Sequence, residues 1–337
     1  MRVAIVGVTG VVGETIARIL EERAVPIDEL GAFASRERGL PLHFNGQAIP
    51  IRAATPEALA AGRYDAVLFA SSEDASAELA GACIESGAVV IDNSSTFRMR
   101  DGVPLIVPEV NADDLRPEHR IFPVANCTAI VLCVGLAPVQ RAAGLRSVRV
   151  ATYQAVSGAG RAGLDELAAG ERALAREEEE APPKAFAAPI ARNVIPKIGS
   201  FDAHGDSGEE LKIVEETRKI LGLPELHVAA TTVRVPVRFA HSEAVFFETE
   251  RDTSAAELAR AFAAAPGVAF HAEGIVTPRE VEGTDLVHVA RLRSEGDSRR
   301  HFQVWLVGDQ VRKGAALNAV QILEALMARQ LVGTRTL

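Results

Sequence analysis

The chain's 337 residues exceed one ordinary domain, so two domains are expected to share its length. With 48% hydrophobic and 24% charged residues it has the composition of a globular protein with a large core, which excludes a disordered chain. A formal net charge of −9 argues against nucleic acid or an anionic membrane as partner, since both require clustered Lys and Arg; small anions are not excluded.

The opening MRVAIVGV reads as a strand, Val3 to Val6, not as a charged segment leading into a long apolar one. No secretory signal is therefore expected, and no apolar run reaches bilayer length. A glycine-rich turn follows, then a helix from about Gly13 to Glu22. Further strands are expected at Leu30 to Ala34, Ala66 to Phe69 and Val89 to Ile91, with a helix from Glu73 to Ser86. Strands alternating with helices imply a parallel, doubly wound sheet.

Beyond Asn126 the texture changes. A helix is expected from Thr128 to about Ala143, followed by VRVATYQAV, whose alternation suits a half-buried strand. Leu164 to Glu180 reads as a helix, and APPKAFAAP after it as a loop because of its prolines. Glu209 to Leu221 is a strong amphipathic helix stopped by Gly222 and Pro224. Strand patterns at Val228 to Val237, Glu243 to Glu250, Val287 to Leu292 and His301 to Val307 suggest a mixed or antiparallel sheet. Gly314 to Leu331 reads as one long helix.

Two motifs carry chemistry. Gly7-Val8-Thr9-Gly10-Val11-Val12-Gly13 lies between the first strand and its helix, where glycines let the backbone approach a pyrophosphate at a helix N-terminus. After the second strand, Ser35, Arg36 and Arg38 favour NADP over NAD, either arginine being able to grip a 2′-phosphate, with Glu37 the contrary sign. Cys127, in Val124-Ala125-Asn126-Cys127-Thr128-Ala129, stands where a helix begins, and the helix dipole there favours thiolate. Cys83 and Cys133 fall mid-helix on apolar faces and read as core, and three cysteines without CxxC suggest reduced thiols in the cytoplasm. His241, between two strand patterns, is the candidate proton carrier for a thiol nucleophile, with His204 a weaker competitor. Arg98, and Glu209 with Lys212 one helical turn on, are candidate holders of a charged substrate.

Together these residues resemble the aspartate-semialdehyde dehydrogenase family. The resemblance spans nearly the whole chain through TGVVG, SSEDAS (Ser71 to Ser76), NSSTFRM (Asn93 to Met99), VPEVN (Val107 to Asn111), ANCT, YQAVSGAG (Tyr153 to Gly160), NVIPKI (Asn193 to Ile198), EELK (Glu209 to Lys212), RVPV with HSEAV (Arg234 to Val245) and VRKGAALNAVQI (Val311 to Ile322). It implies an α/β fold: an N-terminal Rossmann-type doubly wound domain over 1–127, completed by a C-terminal helix at 314–337, and an α+β catalytic and dimerisation domain with a mixed sheet over 128–313. It implies Cys127 as acyl-accepting nucleophile, His241 as acid/base and Gln154 as orienter of the acyl intermediate. Arg98 and Lys212 resemble the phosphate-binding pair, and Arg234 and Glu209 the holders of the substrate's α-carboxylate and α-amino groups. Thr9, Gly10, Val11, Val12, Ser35, Arg36, Ser157, Gly158 and Asn318 resemble the NADP contacts, completed by Gly7 and Ser71. The implied reaction is NADPH-dependent reduction of L-aspartyl 4-phosphate to L-aspartate 4-semialdehyde and phosphate, in biosynthesis of the aspartate-family amino acids, by a cytoplasmic homodimer without a metal.

Departures from the family pattern are Val-Ala in place of Asn-Pro before Asn126, a shorter segment around Arg36, and Gly205-Asp206-Ser207-Gly208 before the Glu209 helix. Two other readings share much of this logic: a related acyl-phosphate or acyl-CoA reductase (N-acetylglutamyl-phosphate or malonyl-CoA), and a non-catalytic paralogue. Glu209 paired with Arg234 speaks for an amino-acid substrate, and the presence of Cys127, Gln154 and His241 for catalysis.

Overall fold

The structure is a computed structural model that describes residues 1–333. The chain forms two compact units, one of Met1–Ala125 with the described residues from Ala315 on, the other Asn126–Gly314.

In the first unit β1 (Arg2–Val6) leads through the glycine turn into α1 (Val11–Glu22), then β2 (Glu29–Ala34), a small hairpin of β3 (Leu42–Phe44) and β4 (Gln47–Ile49), β5 (Ile51–Ala53) and α2 (Pro56–Gly62). β6 (Ala66–Phe69), α3 (Glu73–Glu85), β7 (Val89–Asp92), the short α4 (Pro108–Asn111) and β8 (Ile121–Pro123) follow. The main sheet has the order β5-β2-β1-β6-β7-β8, all parallel. Counted along the chain its strands run 3-2-1-4-5-6, the doubly wound order that places a ligand crevice where the winding reverses, between β1 and β6. Val3, Ala4, Ile5 and Val6 are all buried, as strands covered on both faces must be.

The glycines of the first motif act sterically. Gly7 has φ +89°, and a Cβ there would fall 2.2 Å from the Ala70 carbonyl oxygen at the end of β6. A Cβ on Gly13 would fall 2.2 Å from the Gly7 oxygen, so α1 sits directly on the turn. The helix therefore begins at Val11, two residues before the expected start.

The second unit opens with α5 (Cys127–Ala143), followed by β9 (Leu145–Gln154), α6 (Gly160–Ala175), α7 (Gly208–Leu221), β10 (His227–Arg234) and β11 (His241–Thr249). It continues through α8 (Ala255–Ala263), β12 (Val268–Phe270), α9 (Pro278–Val281), β13 (Val287–Ser294) and β14 (His301–Gly308). Its mixed sheet has the order β10-β9-β11-β14-β13-β12, parallel at its two outer pairings and antiparallel within. α5 is apolar on every side and is buried from Thr128 to Val139, the signature of a central helix. It lies on the sheet, with Gly135 against Leu306 and Gly308 against Val131. Cys133 on α5 and Cys83 on α3 are core, as expected; burial pushes the Cys83 thiol up to about 12 and Cys133 higher still.

Three expected elements are corrected. The helix expected at Leu164 to Glu180 runs from Gly160 to Ala175, and Glu177 adopts φ +56°. Extending it would stack the acids Glu177 to Glu180 on the negative end of its dipole. β10 stops at Arg234 instead of reaching Val237, because Pro236 has no N–H for a ladder. The single helix expected from Gly314 to Leu331 is a π-turn over Arg312–Ala316 followed by α10 (Leu317–Ala328), which returns to pack on α1, α4 and β7. The part of the expected C-terminal helix at 334–337 lies outside the described residues. Among the described residues no helix is long and apolar enough to cross a membrane.

Candidate active site

Asn126 is the N-cap of α5, its side-chain oxygen accepting the Thr128 and Ala129 N–H groups at 3.0 and 3.2 Å. Cys127 is consequently the first residue of the helix, at the positive end of a 17-residue dipole. Its Sγ lies 3.5 Å from Nε2 of His241, the first residue of β11. The thiol is partly exposed, whereas the imidazole is fully buried.

Ala155, just past β9, organises the neighbours of this pair. Its N–H donates to His241 Nδ1 at 3.0 Å, and its carbonyl accepts from Arg234 Nη1 at 2.6 Å. A neutral imidazole that accepts at Nδ1 carries its proton on Nε2, so the ring presents an N–H to the sulfur. Burial, with Arg234 adding to it, holds His241 well below the usual 6.5. Arg234 is itself buried, and its guanidinium stacks over the Phe186 ring at 5.8 Å. Burial draws its pKa down, while Cys127 and Glu209 draw it back up. Ile195 of the NVIPKI segment exchanges two backbone hydrogen bonds with Arg234, both 2.9 Å.

Gln154, buried at the end of β9, accepts from Thr152 Oγ1 and donates through Nε2 to Glu209 Oε1 at 3.1 Å. The same Glu209 oxygen accepts from Asn126 Nδ2 at 2.9 Å. Lys212 stands one turn beyond Glu209 on α7 and is partly exposed. The Asp206-Ser207 departure is a helix start: Ser207 caps α7 and forms a capping box with Glu210. Ser157 donates to the Arg238 carbonyl and accepts from Gln310, whose Oε1 takes the Ala240 N–H at 2.8 Å. Gly158 lies where a Cβ would fall 2.8 Å from Arg234 Nη1. From the π-turn, Gly314 comes so close that a Cβ on it would sit 2.8 Å from that of Cys127. Seven expected residues, Cys127, Gln154, Ser157, Gly158, Glu209, Arg234 and His241, thus form one connected cluster in the second unit.

Lys212 lies in the second unit outside this cluster, and the other expected residues belong to the first unit. Gly7, Thr9, Gly10, Val11 and Val12 form the turn and first residues of α1, whose N-cap Gly10 offers no side chain to its N–H groups. Ser35 and Arg36 are exposed just after β2, as is Arg38. Ser71 follows β6, its hydroxyl 3.5 Å from that of Ser76. Arg98 is buried and donates to the Asn93 carbonyl at 2.8 Å. Asn318 on α10 is fully buried and donates to the Ile106 carbonyl at 3.0 Å. Among the described residues no group of three His, Cys, Asp or Glu is placed to hold a metal.

Known proteins match this chain over nearly its full length. Residues 2–117 match the family model "Semialdehyde dehydrogenase, NAD binding domain" and residues 136–313 the model "Semialdehyde dehydrogenase, dimerisation domain". The curated aspartate-semialdehyde dehydrogenase of Bacillus subtilis (strain 168) is 38% identical over 98% of this chain and 99% of its own. That of Aquifex aeolicus (strain VF5) is 40% identical over the same shares. The chain belongs to the aspartate-semialdehyde dehydrogenase family. The crystal structure of aspartate semialdehyde dehydrogenase II from Vibrio cholerae matches with a TM-score of 0.93 at 38% identity, covering 97% of this chain and 98% of that one. Family membership makes the chain a nicotinamide-dependent oxidoreductase of α/β fold.

Against the family's motifs, three further buried groups stand out. Asn126 is one, and the signal for it is local, because an Asn directly before a helix is a capping residue. Glu216, two turns beyond Glu209, accepts the Asn126 N–H. Glu243, two residues after His241, is fully buried, and neither carboxyl oxygen has a hydrogen-bond partner. Burial raises its pKa well above the usual 4.5, favouring the neutral acid. Because the folded value lies above the unfolded one, its contribution to stability is complete below pH 4.5 and is lost as pH rises through the folded value. Glu243→Met, which removes both unsatisfied oxygens, is expected to stabilise the fold at pH 8 by about 1–3 kcal/mol, with a smaller gain at pH 4.5. Urea denaturation at the two pH values checks this, and a destabilised variant at pH 8 would contradict it.

Proposed function

We propose that the chain reduces L-aspartyl 4-phosphate to L-aspartate 4-semialdehyde and phosphate with NADPH, through a thioester on Cys127. The observation that carries the reading is the sulfur 3.5 Å from a His241 Nε2 whose proton is assigned by the Ala155 contact at Nδ1. Cys127 thiolate attacks the acyl carbon, the C–O bond to phosphate breaks, and the acyl group is held as a thioester. NADPH, when bound, supplies the hydride that reduces it. His241 shares its Nε2–H with the oxygen that bears the developing charge and recovers the proton as the thiohemiacetal collapses to the aldehyde, the C–S bond breaking to return the thiolate. Gln154 orients the acyl group. Arg234 suits the substrate's α-carboxylate and Glu209 its ammonium, which supports an amino-acid substrate over an N-acetylated or amine-free one. Lys212 and Arg98 are assigned to phosphate on the family resemblance.

The first unit's residues fit a dinucleotide. The turn at Gly7 leaves backbone room beside Ala70, and the uncapped N–H groups at the start of α1 suit a pyrophosphate. Gly7, Thr9, Gly10, Val11, Val12 and Ser71 would line it, with Asn318, Ser157 and Gly158 as further family-derived contacts. Ser35 with Arg36 or Arg38, exposed after β2, suits the 2′-phosphate that distinguishes NADP. The same reading divides the chain into an NADP-binding domain over 1–127 with 314–337 and a catalytic and dimerisation domain over 128–313.

A homodimer is proposed from the matched dimerisation domain and from the outer sheet face, where Tyr153 and Phe246 are exposed and Trp305 packs on Tyr153 at 5.4 Å. Sedimentation of the purified chain reads its mass, and a monomer at working concentration would refute it. The cytoplasm, where thiols stay reduced, is the proposed compartment. The test of function is phosphate-dependent reduction of NADP+ by aspartate semialdehyde, with NAD+ run in parallel. Activity is expected with phosphate present and a lower KM for NADP+; no turnover with either cofactor would end the assignment.

A further inference from the structure

α5 is capped by Asn126, but the third residue of the helix is Ala129, not the Glu or Gln that closes a capping box. The N–H of Asn126 is satisfied from elsewhere. Glu216 of α7 reaches it through Oε2 at 2.5 Å, its carboxylate almost wholly buried. Glu209, seven residues earlier on the same helix face, takes the Asn126 Nδ2 at 2.9 Å, while Oδ1 caps the first turn. Backbone N–H and both ends of the amide are therefore all engaged at the residue directly before the nucleophile. α7, by contrast, closes its own box with Ser207 and Glu210. A buried polar side chain is costly unless its atoms are paired, and the Asn126 N–H at the positive end of α5 pairs this one.

We propose that Glu216 is a positioning residue for the reaction. It completes the cap of α5 from a neighbouring helix and so fixes the Asn126–Cys127 turn that holds the sulfur beside His241. The kinetic consequence rests on the function proposed above; the placement of the thiol does not.

Three full-length variants test it. Glu216→Gln keeps an acceptor oxygen at the same reach, Glu216→Leu keeps the volume and removes the acceptor, and Glu216→Asp keeps the carboxyl group but withdraws it by one methylene. Each is measured for kcat and KM with aspartate semialdehyde, for the rate of Cys127 alkylation by iodoacetamide, and for its melting temperature. Glu216→Leu and Glu216→Asp are expected to lose about 10- to 100-fold in kcat, with KM within about threefold, and to alkylate more slowly. Glu216→Gln is expected within about threefold of the parent in both readouts. A folded Leu or Asp variant with unchanged kcat and alkylation overturns the proposal, as does a Gln variant as impaired as the other two. If Leu does not fold, the Asp and Gln pair decides. Should the parent itself show no turnover, the proposed function is lost, and the alkylation series still decides the role of Glu216.

Discussion

Cys127→Ala is expected to lower kcat by on the order of 10⁴-fold or more while leaving the NADPH dissociation constant within about twofold. The size of the loss follows from the chemistry: without the sulfur no thioester forms, and no other thiol can substitute. Cys83 and Cys133 are buried and held protonated. The change should be structurally mild. Asn126 caps the helix with its own side chain, and the methyl group of the substituted alanine occupies the space of the existing Cβ. Steady-state turnover and a fluorescence titration of NADPH read the two quantities separately. Intact mass spectrometry after mixing with substrate should show an acyl adduct on the parent and none on the variant. Turnover within a hundredfold of the parent would remove Cys127 from the role of nucleophile.

His241 should give the second largest effect, and two replacements separate its ring nitrogens. In His241→Asn the side-chain oxygen falls near the position of Nδ1 and still accepts from Ala155, but nothing reaches the sulfur. A loss of about 10²–10⁴ in kcat is expected, with stability at pH 8 within about 1 kcal/mol of the parent. In His241→Gln the amide nitrogen approaches the place of Nε2 while the Ala155 N–H is orphaned, so some activity returns at a cost in stability. Equal kcat for the Asn variant and the parent would exclude His241 from proton handling. The parent also carries a pH signature. Since burial holds the imidazole below its unfolded value of 6.5, the native state binds fewer protons than the unfolded one. This contribution to stability is complete above pH 6.5 and is lost as pH falls from there through the depressed value. Urea midpoints between pH 8 and pH 5 should fall more steeply for the parent than for His241→Asn.

The parallel sheet was readable because fully buried strands are short apolar runs, and Ala66–Phe69 matches its expected limits. The small strands β3 to β5 were missed. Asn45 and Gly46 both have positive φ and join β3 to β4 as a tight hairpin, and that Asn-Gly pair was an available signal. Helix limits failed where tertiary forces outweigh periodicity. The acids after Ala175 favour helix by propensity yet end it by charge, and the π-turn at Arg312 leaves no trace in an apolar pattern. Cys127, His241, Gln154, Glu209 and Arg234 were nameable because each sits in a distinctive local motif. Glu216 was not, since its meaning lies in one hydrogen bond to a residue 90 positions away. Glu243 was equally hidden, because β11 alternates in the same way whether its inward positions are apolar or acidic.

The contact of Gly314 with Cys127 also dictates an order of assembly. During synthesis the nucleophile emerges early, but the backbone that presses on it arrives only after β14, and the first unit receives α10 later still. Neither unit can finish by the time its first long stretch has left the ribosome, so a nascent chain shorter than about this point exposes α5 and the open flank of the parallel sheet. Until that late segment is in place, the Cys127 turn lacks the backbone contact that Gly314 supplies.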